Sequence, residues 1–307
     1  MSDPKPPRIF YTELNSVHVS VYAELEGEYD WADGWRITGN VYGPHCSLSD
    51  TLPARIKLKD RGNGQSLLSA AIVPDPCPWS AALPAIYRVS TEILNDDQTL
   101  GIDEQLLGFK TLAVKHSHFV LTDLNGFTKR WVLRAAAGSV SLALSDQGEE
   151  CRELRLSRVV TNPTRDECQQ ATEQGLWLVA VLDLPETEIQ PKLDELSQWP
   201  CVALCILSSQ TDSSLSITAP NNLLLAAYDV SPESLPDWAQ LIAADVSNVE
   251  SFNNRYRNSH IPVLAHHITD YNNDRKARET CAQLQALLAP EGDYAGYIVS
   301  QSYLFQS

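Results

Sequence analysis

The chain has 307 residues, 43% of them hydrophobic and 20% charged, with 39 Asp and Glu against 23 Lys and Arg for a formal net charge of −16. That acidic surplus argues against nucleic acid, whose phosphates draw on clustered Lys and Arg, and equally against an anionic membrane surface. The length suits two domains of ordinary size with a sizeable buried core.

The start, Met1-Ser-Asp-Pro-Lys-Pro-Pro7, lacks the apolar centre of a secretory signal. No later stretch reaches the roughly 18 uninterrupted apolar residues of a membrane helix. The seven cysteines (46, 77, 151, 168, 201, 205 and 281) are scattered without paired CxxC motifs, which reads as reduced thiols in a cytoplasmic protein.

From residue 8 to 110 the pattern is strands and turns. Segments 17–25, 35–42, 54–59, 67–73 and 86–93 alternate apolar and polar residues. Gly43-Pro44, Asp60-Arg-Gly-Asn-Gly64 and Pro74-Asp-Pro-Cys-Pro78 supply turn chemistry between them. Short strands at this spacing predict a β-sandwich of about 100 residues. Residues 111–128 form a connecting segment, in which His116-Ser-His118 reads as exposed polar alternation on a strand.

From 129 to 307 the pattern changes. Apolar β-rich runs occur at 131–135, 156–161, 176–183, 201–208, 222–228, 241–246, 261–268 and 294–300. They are apolar throughout, as expected where both faces of a strand are covered. Helical segments fit at 164–174, 187–198, 232–240 and 274–288, the last with Asp274 as cap. Eight such runs in βα alternation predict a compact (β/α)₈ barrel of the TIM type, shorter than the roughly 200 residues at the low end of that fold. An open α/β sheet is the alternative.

Several motifs are similar to those of glycoside hydrolase family 2, which includes the β-galactosidases, β-glucuronidases and β-mannosidases. Asp75-Pro-Cys-Pro-Trp-Ser-Ala-Ala-Leu-Pro-Ala-Ile-Tyr87 resembles the last strands of that family's immunoglobulin-like domain. Gly108-Phe109-Lys110, Asn125-Gly126 and Leu133-Arg134 resemble its passage into barrel strand 1. Val160-Thr-Asn-Pro163, Gly175-Leu-Trp-Leu178, Trp199-Pro-Cys-Val-Ala-Leu-Cys-Ile-Leu207 and Ile261-Pro-Val-Leu264 follow in the family's order. The family's N-terminal jelly-roll domain has no counterpart here.

The resemblance implies a retaining glycosidase with two glutamates, an acid/base ending strand 4 and a nucleophile ending strand 7, about 5–5.5 Å apart. Counting along the matched segments, those positions fall on Ser209-Gln210 and His266-His267. No Glu lies between Glu195 and Glu233, or between Glu250 and Glu279, so a shift of register restores neither. The expectation is a pseudo-glycosidase that binds a carbohydrate or a protein, with Ser209, Gln210, His266, His267 and Tyr303 as binding residues. The alternative is an active hydrolase using displaced acids, Asp183 or Asp229, with Asp245 and Asp270 also near strand ends. Strand-end Asp also serves as a cap or turn former.

No metal site or cofactor is expected. His266 and His267, which with His260 and Asp270 could seed a metal site, are adjacent rather than spaced i, i+4 as on a zinc helix, and adjacent residues on a strand face opposite ways. Arg61-Gly-Asn-Gly64 lacks the third Gly and the helix of a nucleotide loop. Trp177, Trp199 and Trp238 are better explained by packing than by sugar stacking.

Overall fold

The computed structural model describes residues 5–12, 14–26, 34–63, 66–96, 98–137, 144–208, 217–220 and 222–305. Two compact units emerge: Met1–Lys110 with Leu124–Gly126, and Thr111–Asp123 with Phe127–Ser307. Residues 111–123 thus belong to the second unit.

The first unit is a single antiparallel sheet that curls on itself. Its strands are β1 (Arg8–Thr12), β2 (His18–Leu25), β3 (Trp35–His45), β4 (Ala54–Asn63), β5 (Leu67–Pro74), β6 (Ile86–Asn95) and β7 (Gln98–Leu107). The order β1-β2-β5-β4-β3-β6-β7 is continuous, so the sandwich-like arrangement is one sheet curled on itself. β4 makes the join: Ala54–Leu58 pair with β3, and Lys59 onward pair with β5. The alternation puts Val19, Val21, Ala23 and Leu25 of β2 inside, facing Tyr87, Val89 and Ile93 of β6 in one apolar core. Trp79 and Tyr87 of the Asp75–Tyr87 motif are buried, and the Tyr87 ring lies 4.6 Å from that of Phe109. The Tyr87 hydroxyl accepts the Cys77 N–H at 2.8 Å.

Gly39 in β3 has φ +156°, and a Cβ there would stand 1.9 Å from the Ser90 carbonyl oxygen. Gly39→Ala is therefore expected to cost about 2–3 kcal/mol. Urea denaturation reads that loss, and a change within 0.5 kcal/mol would contradict the close approach.

The second unit opens with a small sheet of β8 (Leu112–Lys115), β9 (His118–Thr122) and β10 (Thr128–Trp131). His116 and Ser117 are the two-residue turn between β8 and β9, with Lys115 opposite His118 and His116 at φ +53°. This corrects the reading of His116 as a strand residue: the hairpin needs a residue that tolerates the left-handed region.

The barrel strands are β11 (Leu133–Ala137), β12 (Ser157–Thr161), β13 (Leu178–Leu182), β14 (Val202–Leu207), β15 (Leu224–Tyr228), β16 (Leu241–Asp245), β17 (Val263–Ile268) and β18 (Gly296–Ser300). All pair in parallel, and β11 pairs with β18, so the barrel closes and the open sheet is set aside. Leu133, Val179, Val181, Leu204, Ile206 and Leu264 are among the side chains that fill its interior. Gly296 lets β18 and β11 approach closely, because a Cβ there would meet Leu133 Cβ at 2.6 Å.

The helices are α1 (Leu144–Leu154), α2 (Arg165–Gln174), α3 (Glu186–Ser197), α4 (Val249–Tyr256) and α5 (Asp274–Leu288). Between β15 and β16 only a 3₁₀ turn, Pro232–Ser234, stands where a helix over 232–240 is expected from sequence. Pro236 lies in that stretch, and without an N–H it cannot continue a helical ladder. That missing helix is one way the barrel is shortened. The cap of α5 is Asn273, which accepts the Lys276 N–H at 2.8 Å, and Asp274 turns to another partner.

Candidate functional site at the barrel mouth

Barrel sites form at the C-terminal ends of the strands, so the informative residues are the last ones of β15 to β18. Interior positions alternate. On β17, Leu264 faces in, which puts His266 inside and His267 on the opposite face. His266 is completely buried. The Nδ1 of His267 lies 3.3 Å from the Val246 carbonyl oxygen, and its side chain is half-buried.

His266 is held on both ring nitrogens. The Tyr228 hydroxyl stands 2.8 Å from Nδ1, and Ser300 Oγ stands 2.6 Å from Nε2. Ser300 Oγ donates its own hydrogen to the Ser302 carbonyl oxygen, so it accepts from His266 Nε2–H. That fixes the tautomer: Tyr228 O–H donates to bare Nδ1. The line from Tyr228 through His266 and Ser300 to Ser302 is satisfied by a neutral imidazole. A protonated ring would require the Tyr228 hydroxyl to turn and accept from Nδ1–H.

Burial, and then the neighbouring His267, push the His266 pKa down to about 4, so the ring is neutral at pH 7. Asp245 Oδ1 lies 3.8 Å from His266 Nδ1, too far for a hydrogen bond, and the neutral ring makes no ion pair with it. The Asp245 carboxyl is raised above the usual range by burial first and then by the negative charge of Asp229. Burial, Asp245, Asp229 and Tyr303 likewise raise the Tyr228 phenol.

Two apolar residues that follow β18 adjoin this network. Leu304 belongs to the same cluster as the barrel interior, and Phe305 packs against it. The Phe305 and Tyr228 rings lie 5.3 Å apart. Tyr303, one residue earlier, is 67% exposed.

The other expected acids are dispersed. Asp183 is exposed, and its backbone N–H and carbonyl are bonded to the Asn162 side chain. Asp229, exposed at φ +54°, pairs with Arg255 at 3.3 Å. Asp270 is exposed beyond β17. Ser209 and Gln210 lie outside the described residues. Trp177 packs 5.4 Å from Trp131, and Trp199 and Trp238 precede β14 and β16, at the end of the barrel away from the mouth. Among the described residues no three His, Cys, Asp or Glu side chains gather closely enough to hold a metal ion.

Tyr228, Ser300 and Phe305 belong to the candidate site and were not singled out from the sequence. Their only signal is position: Tyr228 and Ser300 each close an apolar β-rich run.

The curled sheet followed by the closed barrel is the fold of glycoside hydrolase family 2. No family model and no curated protein matches the chain. Among solved structures it is similar to the β-glucuronidase of Bacteroides uniformis, at 12% identity and TM-score 0.63, over 96% of this chain and 45% of that one. The β-glucuronidase of Bifidobacterium dentium, complexed with coumarin-3-O-glucuronide, aligns at 10% identity and TM-score 0.64, over 96% of this chain and 60% of that one. A glycosyl hydrolase family 2 member from Bacteroides cellulosilyticus aligns at 14% identity and TM-score 0.62, over 96% and 45%. The chain spans about half the length of these proteins. At such identities the likeness establishes the fold. No helix is long and apolar enough to cross a membrane among the described residues.

Proposed function

We propose that this chain is a cytoplasmic pseudo-glycosidase: a family 2 fold that binds a partner instead of cleaving a glycosidic bond. The observation that carries this reading is His266. A retaining enzyme needs an ionised carboxylate at the end of barrel strand 7 to attack the anomeric carbon. Here the interior residue at the end of β17 is a neutral imidazole with both nitrogens occupied. By register with the family, Gln210 and His267 fall at the two glutamate positions; neither they nor the inward-facing neighbour His266 is a carboxylate, and a neutral amide cannot act as an acid toward a leaving oxygen.

Of the two ligand classes, Leu304 and Phe305 favour a protein over a sugar, because they occupy the space above Tyr228 that a sugar ring would take. Ser209, Gln210, His267 and exposed Tyr303 would then contribute to the contact surface, with His266 acting from below.

A cyclophellitol-6-carboxylate aziridine is found covalently bound to Bacteroides uniformis β-glucuronidase 2. Incubation of this chain with that aziridine should leave its intact mass unchanged. An adduct of one inhibitor on an Asp or Glu would overturn the proposal.

A second reading, an active hydrolase with displaced acids, is favoured by the raised Asp245 beside Asp229. It requires turnover that disappears in Asp183→Asn, Asp229→Asn or Asp245→Asn. Loss of a catalytic carboxylate removes several orders of magnitude in rate.

A further inference from the structure

Strand β4 reads Ala54-Arg-Ile-Lys-Leu-Lys-Asp-Arg-Gly-Asn63, with a cation at every second position from Arg55 to Arg61. Leu58 is buried in the core of the first unit and Ile56 packs against that core, so Arg55, Lys57 and Lys59 point outward. All three are exposed. Arg61 is exposed too, at the irregularity in the β4–β5 pairing between Asp60 and Asn63.

Two simpler accounts of such a stripe fail here. Lys on an edge strand deters further pairing, but β4 is the fourth of seven strands and has neighbours on both sides. Nor does the sheet supply acids across from the cations. Arg55 stands opposite Tyr42, Lys57 opposite Asn40 and Lys59 opposite Ala70. None of the four cations has an ion-pair partner among the described residues. Elsewhere on the same sheet cations are matched, Arg8 with Glu24 at 2.6 Å and Arg88 with Glu104 at 3.4 Å. The Arg55 guanidinium lies over the Tyr42 ring, 5.8 Å from its centroid, and the His45 ring meets Tyr42 edge-on with centroids 4.6 Å apart.

Cations side by side on one strand face repel one another, and they stand out on a chain whose net charge is −16. We propose that the outward face of β4 is a docking surface for an extended acidic segment of a partner protein. Residues two apart on a strand are separated by about 6.6–6.8 Å, and an extended peptide has the same repeat. Carboxylates at alternate positions of the partner therefore meet Arg55, Lys57 and Lys59 one for one, in charge-assisted hydrogen bonds. Single-stranded nucleic acid fits less well. It relies on aromatic rings free to stack on bases, and Tyr42 is already covered by Arg55 and His45. Its charge also continues past the stripe, along a chain that is acidic overall. The surface belongs to the first unit and does not depend on whether the barrel is catalytic.

The test is fluorescence polarisation with the full chain at pH 7.5 and low ionic strength, the probe being a labelled peptide of four Glu-Thr repeats. Saturable binding is expected, weakened about tenfold or more in Lys57→Glu/Lys59→Glu. Lys115→Glu/Lys129→Glu changes the net charge equally at exposed positions of β8 and β10, and should bind as the unaltered chain does. No saturable binding, or equal weakening in the two double variants, would overturn the proposal. A peptide of the same composition with its four Glu in one block should bind more weakly, and equal binding would contradict the alternating register. Tighter binding of a thymidine octanucleotide would overturn the proposal in favour of nucleic acid. A dimer of the unaltered chain in sedimentation that Lys57→Glu/Lys59→Glu abolishes would overturn it in favour of a second copy. Should charge reversal prevent folding, Lys57→Gln/Lys59→Gln takes its place: weaker binding is expected there, and unchanged affinity would refute the docking surface.

Discussion

Asp274→Ala is expected to destabilise the barrel unit by about 3–5 kcal/mol, the largest effect of any single side-chain truncation considered. Asp274, the first residue of α5, receives both amino groups of Arg158 on β12, at 2.6 and 2.5 Å. Both side chains are nearly buried, at 10% and 12% exposure. The Cys151 thiol on α1 donates to the same carboxylate at 3.1 Å, so one acid ties together α1, α5 and the barrel wall. Its removal strands the Arg158 charge in a poorly solvated place, and that uncompensated charge dominates the cost. Replacing both partners by apolar residues, Arg158→Met with Asp274→Leu, should recover most of the loss. Breaking the half-exposed Arg255–Asp229 pair by Arg255→Ala should cost less than about 1 kcal/mol. Urea denaturation of the four proteins measures all of this, and a cost below 1 kcal/mol for Asp274→Ala would contradict the role assigned to the pair.

The second large effect is a dependence of stability on pH set by His266. Its native pKa of about 4 lies below the ordinary value of 6.5. Above pH 6.5 the ring is neutral in both folded and unfolded chains, and its burial carries no proton penalty. As pH falls from 6.5 toward 4, the unfolded chain binds a proton that the native one refuses, so stability declines through that window and levels off below it. Two and a half pH units at 1.36 kcal/mol each amount to about 3 kcal/mol. The loss between pH 7 and pH 4.5 should accordingly be about 2–3 kcal/mol smaller in His266→Gln than in the unaltered chain. Parallel losses in the two would show that His266 is not held neutral.

How far the fold was legible follows from where its information resides. The barrel strands were readable because eight runs are apolar on both faces, a local property. α2 was readable for the same reason: Thr164 caps it with Glu167 in a reciprocal box, and Gly175 ends it in the left-handed region. Helix α1 was not legible because few of its residues are apolar, and α4 because eight residues give barely two turns of periodicity. The continuity of the first unit was not legible either. It depends on β4 changing partners midway, and no residue of β4 records that in its own sequence.

The site divides in the same way. Strand alternation places one of the two adjacent histidines inside the barrel, and His266 is the one. What could not be read is its company. Tyr228 is 38 residues away and Ser300 is 34, and only barrel closure brings them to it. The Arg158–Asp274 pair, 116 residues apart, is hidden likewise, and for that reason Asp274 looked like a helix cap. Leu304 and Phe305 gave no signal, since two apolar residues after a strand have no periodicity to read.

The central claim, that this barrel does not hydrolyse glycosides, is tested most directly by product release from a panel of chromogenic β-glycosides that includes a β-glucuronide, at high protein concentration and pH 7. No release above the rate without protein is predicted. Catalytic release that scales with protein concentration and is abolished by Asp245→Asn or Asp229→Asn would contradict it and establish the displaced acids as the catalytic pair.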